Sequence, residues 1–176
     1  MRALLALARY EEATRICQRA LEVVKPIALL LPTAADRVRT GAYLALGYVA
    51  NHQNRQNEAR QFLEKGVRHA RAAKLRDLEA DTLTYLSAVL RTLGDFPRAD
   101  QTAQQALAVA QASGNDYQTA NILHFLSIIN YYHADLEVAL LHSQQAQTAK
   151  RNMGDSEGVV GCALIQALNT VGSRNI

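Results

Sequence analysis

Apolar and small residues recur at three- and four-residue intervals along most of this chain, and short polar turns separate the stretches. That spacing puts them on one side of an α-helix. No run alternates polar and apolar residues as a half-buried strand does, and Val and Ile are sparse. The pattern predicts an all-α fold with helices over 2–8, 10–24, 34–53, 56–74, 78–93, 97–113, 117–133, 136–152 and 157–172. Gly114 and Gly154 stand where a helix end takes a left-handed residue. Thr33, Asp77, Asn115 or Asp116, and Asp155 or Ser156 are suited to N-caps. Thr33 and Asp36 have near-capping-box spacing, with Asp in place of the usual Glu.

The helices come in repeating pairs. "RYEEATRICQRAL", "RQNEARQFLEKGV", "DFPRADQTAQQAL" and "DLEVALLHSQQAQ" align on Ala13, Ala59, Ala99 and Ala139, the last two intervals being 40 residues and the first 46. Four and seven residues beyond each anchor stand Cys17 and Ala20, Leu63 and Gly66, Ala103 and Ala106, Ser143 and Ala146. The preceding segments "TGAYLALGYVANHQ", "ADTLTYLSAVLRTL" and "ANILHFLSIINYYH" match at the same 40-residue interval through the pairs Leu46-Gly47, Leu86-Ser87 and Leu126-Ser127. A helix that spends apolar positions on alanine, as Leu93–Asn115 does at Ala99, Ala103, Ala106 and Ala110, leaves room for a second backbone close by. Each unit therefore reads as an antiparallel helix pair.

These motifs resemble tetratricopeptide repeats. "YLSAVLRTLGDFPRADQTAQQAL" carries the large-small pair, the Gly-Asp-aromatic turn and the later small residues; "FLSIINYYHADLEVALLHSQQA" has Ala134 in place of the turn glycine, and "ALGYVANHQNRQNEARQFLEKG" has Asn54 there. The 40-residue period, longer than the family's usual one, resembles the helical repeats of bacterial MalT-like transcription regulators and related signalling proteins. The resemblance implies an α-solenoid, a right-handed superhelix of antiparallel helix pairs. It spans 1–176 as one repeat domain, with units at about 1–32 (partial), 33–76, 77–115, 116–155 and 156–176 (partial). It implies a protein- or peptide-binding scaffold, and the regulator likeness implies a cytoplasmic sensor or interaction module of a bacterial signalling or transcription-regulatory protein.

"KPIALLLPT" lengthens the first junction, and Pro26 and Pro32 bracket it. Its Leu and Ile residues either plug the end of the first repeat or form an exposed apolar contact for a partner. Both ends look incomplete for a solenoid. Leu4, Leu5 and Leu7 at the front, and Val160, Ala163, Leu164, Ala167, Leu168 and Val171 at the back, form apolar faces without a mate. The chain reads as cut from a longer array or built to pair its ends, which predicts a homo-oligomer, a dimer above all, through terminal helices. Charge fits that expectation: residues 1–76 carry a net +8 and residues 77–176 a net −5.

Candidate chemistry is thin. No phosphate-binding GxxxxGK[ST], GxSxG or HExxH stands in the chain, and Cys17 and Cys162 form no CxxC. Two cysteines make no disulfide framework and read as buried free thiols in a reducing compartment. His52, His69, His124, His133 and His142 lack the three- or four-residue spacing that would bring two to one metal. The chain is therefore expected to be non-enzymatic, with no cofactor, no metal and no membrane span. The basic stretch 55–76 allows a nucleic-acid reading, but Leu63, Val67 and Ala70 mark it as an amphipathic helix with its charges outward.

In a stack of such pairs the first helix of each lines a concave groove. Counting from each large-small pair gives Tyr48, Asn51 and His52; Ala88, Arg91 and Thr92; and Ile128, Tyr131 and Tyr132, with Asn121 and His124 earlier on the last helix. Tyr48, Asn51, His52, Arg91, Asn121, His124, Ile128 and Tyr131 are thus the candidate groove residues. Their mixture of aromatic, amide and cationic groups suits a peptide.

Overall fold

The computed structural model describes the backbone of residues 2–132 and 134–172, and the side chains of 9–132, 134–168 and 170. Among these are eight helices and no strand: α1 (Arg2–Ile27), α2 (Pro32–His52), α3 (Gln56–Ala72), α4 (Arg76–Thr92), α5 (Phe96–Ala112), α6 (Asp116–Tyr132), α7 (Leu136–Asn152) and α8 (Ser156–Gly172). The fold is all-α, as the periodicity predicts.

From α3 onward every helix has seventeen residues. The left-handed residue of each turn consequently recurs every twenty positions, at Asn54, Lys74, Gly94, Gly114, Ala134 and Gly154, with φ between 56° and 80°. In each turn the next N–H reaches back to a carbonyl five residues earlier, from Arg55 N to Ala50 O (2.8 Å) through Asp155 N to Lys150 O (2.9 Å), closing the helix end. The residue after the left-handed one stands immediately before the next helix. Asp95, Asn115, Asp135 and Asp155 each accept a backbone N–H three residues on.

Local expectations need five corrections. Helices 2–8 and 10–24 are one continuous α1, because Ala8, Arg9 and Tyr10 contain neither a breaker nor a cap. Pro26 lies inside its last turn, and the helix runs on to Ile27. Thr33 and Asp77 do not cap: α2 and α4 follow Leu31 and Leu75, which make no side-chain cap bond, while Asp36 pairs with Arg39 and His69. The "KPIALLLPT" leucines plug nothing, since Leu29, Leu30 and Leu31 are 94%, 80% and 59% exposed. Cys162 is buried as expected, but Cys17 is only half-buried.

The alanine register holds. Ala59, Ala99, Ala103, Ala106, Ala110, Ala139 and Ala146 are fully buried. Small residues face large ones across the pairs: a methyl added at Gly47 would lie 2.5 Å from Leu63 Cγ. Leu63, Leu83, Leu90, Ile122, Leu126 and Ile129 form the bulk of the core, each stabilising by roughly 1.5–3 kcal/mol.

Consecutive helices pack in series, and α2, α4, α6 and α8 also touch one another along the stack; among the described residues no two of α1, α3, α5 and α7 do. A two-layer stack whose one layer is closer-spaced must curve with that layer inside. The face of α2, α4 and α6 is therefore concave. The opposite charges of the two halves meet within the chain, where Arg37 pairs with Asp77 (2.8 Å) and Arg71 with the buried Glu79 (2.8 Å).

The apolar face of α8 is exposed as expected, at Val160 (69%), Leu164 (61%) and Leu168. Leu4, Leu5, Leu7 and Val171 lie outside the described side chains, and His133 outside the described residues.

Candidate functional site

Two cavities open on the concave face. The first, about 540 Å³, is mostly apolar and lies between α1, α2 and α4, lined by Tyr10, Leu44, Ala45, Tyr48 and Tyr85 among others. The second, about 410 Å³, lies between α4 and α6, where Asp77, Asp81 and Thr84 face Asn115, Gln118 and Asn121. Tyr85 lines both. The two are thus neighbouring parts of one groove, apolar at one end and polar at the other.

The rings at the apolar end are fixed by mutual contact. Tyr48 meets Tyr85 edge to face at 5.7 Å and His52 at 4.3 Å, while His52 stacks on Tyr10 at 6.0 Å. Such pairs hold large apolar surfaces in place before any ligand arrives. Burial, then Tyr48, then Asp81 hold the Tyr85 hydroxyl above its ordinary pKa, so it stays a neutral donor.

The polar end is built around Gln118, 6% exposed. Its Nε2 donates to the Asp77 carbonyl (2.9 Å) and to Asp81 Oδ1. Because both partners are acceptors, the amide orientation is determined, and Oε1 is left buried without a donor.

Of the predicted residues, Tyr48 and His52 come together at the apolar end, and Asn121 lies at the polar end. Asn121 is already engaged, accepting from Lys150 Nζ at 2.6 Å. His124 is turned to the α8 side: its Nδ1 lies 3.4 Å from Cys162 Sγ, and its ring stands 3.5 Å from where a methyl on Gly161 would be. Burial, and secondarily the charge of Lys150, lower its pKa, favouring the neutral ring. Arg91 holds its guanidinium 5.1 Å from the Tyr132 ring, and Tyr131 meets Tyr132 edge-on at 5.8 Å. Asn51 and Ile128 are half-buried and line neither cavity.

Sequence reasoning missed Tyr10, Asp77, Asp81, Tyr85, Tyr117 and Gln118. It counted forward from the large-small pairs, whereas the groove face of α4 runs backward as well, through Asp81, Thr84 and Tyr85. Asn121 and His124 are the 40-residue counterparts of Asp81 and Thr84, and that offset was the available signal. Among the described residues no group of three or more His, Cys, Asp or Glu side chains could hold a metal ion.

Residues 78–152, α4 through α7 but for its first two residues, match the profile of the tetratricopeptide repeat family. Over this segment the chain is similar to tetratricopeptide repeats. The fold extends beyond the matched segment: the crystal structure of BtubC (BKLC) from P. vanneervenii superposes with a TM-score of 0.58 at 15% identity, covering 95% of this chain and 93% of that one. At that identity the likeness concerns the fold alone. No curated protein matches in sequence. Tetratricopeptide repeats generally act as non-catalytic scaffolds for protein–protein interaction. No helix among the described residues is long and apolar enough to cross a membrane.

Proposed function

We propose that this chain is a non-enzymatic scaffold that binds an extended protein or peptide segment in the groove across α2, α4 and α6. The observation that carries this reading is the continuity of the two cavities through Tyr85. An aromatic residue held between an apolar and a polar recess can anchor one side chain on each side. The 40-residue period supports placing the scaffold in a cytoplasmic bacterial signalling or transcription-regulatory protein, as its sensor or interaction module.

The test is a peptide selected from a random displayed library. Tyr85→Ser should weaken it about tenfold or more, the loss expected of a central aromatic anchor. Gln104→Ser, at an exposed position of the outer helix α5, should leave it unchanged. Equal effects of the two variants would overturn the reading.

A second reading, self-association, is favoured by α8. Its exposed Val160, Ala163 and Ala167 are the 40-residue counterparts of Ala120, Leu123 and Ser127, all buried on α6. Light scattering at micromolar concentration tests it: Val160→Asp with Leu164→Asp should convert an oligomer to a monomer. A wild-type monomer would dismiss it.

A further inference from the structure

The three successive junctions between first helices are filled in three different ways. Between α2 and α4 the equivalent positions are Gly41, Ala70 and Leu78, without a charge. Between α6 and α8 they are Asn121, Lys150 and Gly158, and the chain supplies its own cation. Lys150 Nζ lies buried against Asn121 Oδ1 (2.6 Å) and Asp155 Oδ2 (3.1 Å), 5.9 Å from the Tyr117 ring. Gly158 makes room, for a methyl there would lie 2.7 Å from Nζ.

Between α4 and α6 the same three positions hold Asp81, Ala110 and Gln118. Here a carboxylate replaces the amide of Asn121, and alanine replaces the lysine. Gln118 Nε2 takes the donor's place on residue 81, but an amide brings no charge. No cationic side chain among the described residues pairs with Asp81. Asp77 beside it already holds the Arg37 guanidinium at 2.8 Å on the open rim, which shows that this wall accepts one. The buried Gln118 Oε1 lacks a donor, and a buried acceptor left unpaired is costly. The recess of about 410 Å³ thus holds the carboxylates of Asp77 and Asp81, a buried acceptor without a donor and the ring of Tyr85, while Lys150 stands at its α6 wall against Asn121 and the Tyr117 ring.

We propose that the recess between α4 and α6 binds a cationic side chain of the segment that occupies the groove, with arginine the best fit. The proposal rests on the groove reading above and names the chemistry of its polar end. Arginine suits the site better than lysine because its planar fork donates to several acceptors at once and stacks on aromatic faces.

The experiment uses the full chain, ¹⁵N-labelled, and two pools of short random peptides. One pool carries a fixed arginine, the other citrulline, which keeps the shape and loses the charge. The arginine pool should shift the amides of Asp81, Tyr85 and Gln118 and saturate at a concentration about tenfold lower, as a charge-assisted contact requires. Asp81→Asn should abolish that difference, and Asp77→Asn, at a half-exposed position on the rim, should reduce it. A preference that survives both variants, or no preference, overturns the proposal. If both pools bind equally around Tyr48, the groove reading stands and this one falls; if neither shifts any amide of α2, α4 or α6, both fall.

Discussion

Lys150 Nζ donates a 2.6 Å hydrogen bond to Asn121 Oδ1 from a position occupied by buried alanine, Ala70 and Ala110, in the two preceding repeats. An ammonium group is tolerated there because Asp155 and Asn121 take two of its three protons and Gly158 leaves the space. Lys150→Ala should therefore cost about 2 kcal/mol, the range for a hydrogen bond to a charged group. The triple variant Lys150→Ala, Asn121→Asp, Gly158→Gln copies the α4–α6 arrangement and should recover most of that loss. Urea denaturation measures both. A triple variant no more stable than Lys150→Ala would show that the two fillings are not interchangeable.

The neutral preference of His124 has a pH signature. Its folded pKa lies below the ordinary value of 6.5, from burial first and the charge of Lys150 second. The unfolded chain thus binds the proton more readily, and stability is complete above 6.5 and falls as pH drops below it. His142 is shifted the same way, mainly by burial. Melting temperature measured from about pH 8 down to about pH 5 should decline across that window, and His124→Gln should flatten the decline. An equally steep decline in the variant would remove His124 from the account.

Gly47→Ala tests the close approach of α2 and α3. The added methyl would meet Leu63 Cγ at 2.5 Å and Cδ2 at 2.7 Å, and Leu63 is fully buried. Overpacking of about 1–3 kcal/mol outweighs the gain in helix propensity of about 1 kcal/mol. Thermal unfolding should show a lower melting temperature; an increase would mean that the two helices can separate.

Leu29→Ser with Leu30→Ser tests the opposite expectation for the α1–α2 junction. Both side chains are almost fully exposed, so their loss should change stability by no more than about 0.5 kcal/mol. A loss above 2 kcal/mol, roughly one buried leucine's worth, would restore the plug that the sequence alone suggests.

The repeat was legible because small anchors such as Ala99 and Ala139 recur at fixed spacing and tolerate no other packing. The turns were half legible. Gly114 and Gly154 announce a left-handed residue, but Lys74 and Ala134 adopt the same conformation only because the seventeen-residue helices on both sides demand it. The continuity of α1 was hidden because its front was read as the tail of an incomplete repeat, which places a helix boundary at residue 9. In the groove, Tyr48 and His52 could be found by counting along one helix. Gln118 could not: its role depends on Asp77 and Asp81, brought across by the packing of α4 on α6. Even so, the paired exchange of Ala110 with Lys150 and of Gln118 with Gly158 was present in the sequence for a reader comparing the repeats.

The central claim is that ligand binds the inner face of α2, α4 and α6. Amide chemical-shift mapping on the ¹⁵N-labelled chain, titrated with a library-selected peptide, tests it most directly. Shifts should concentrate around Tyr48, Asp81, Tyr85 and Gln118, with the outer helices α3, α5 and α7 silent. Shifts confined to those outer helices would contradict it.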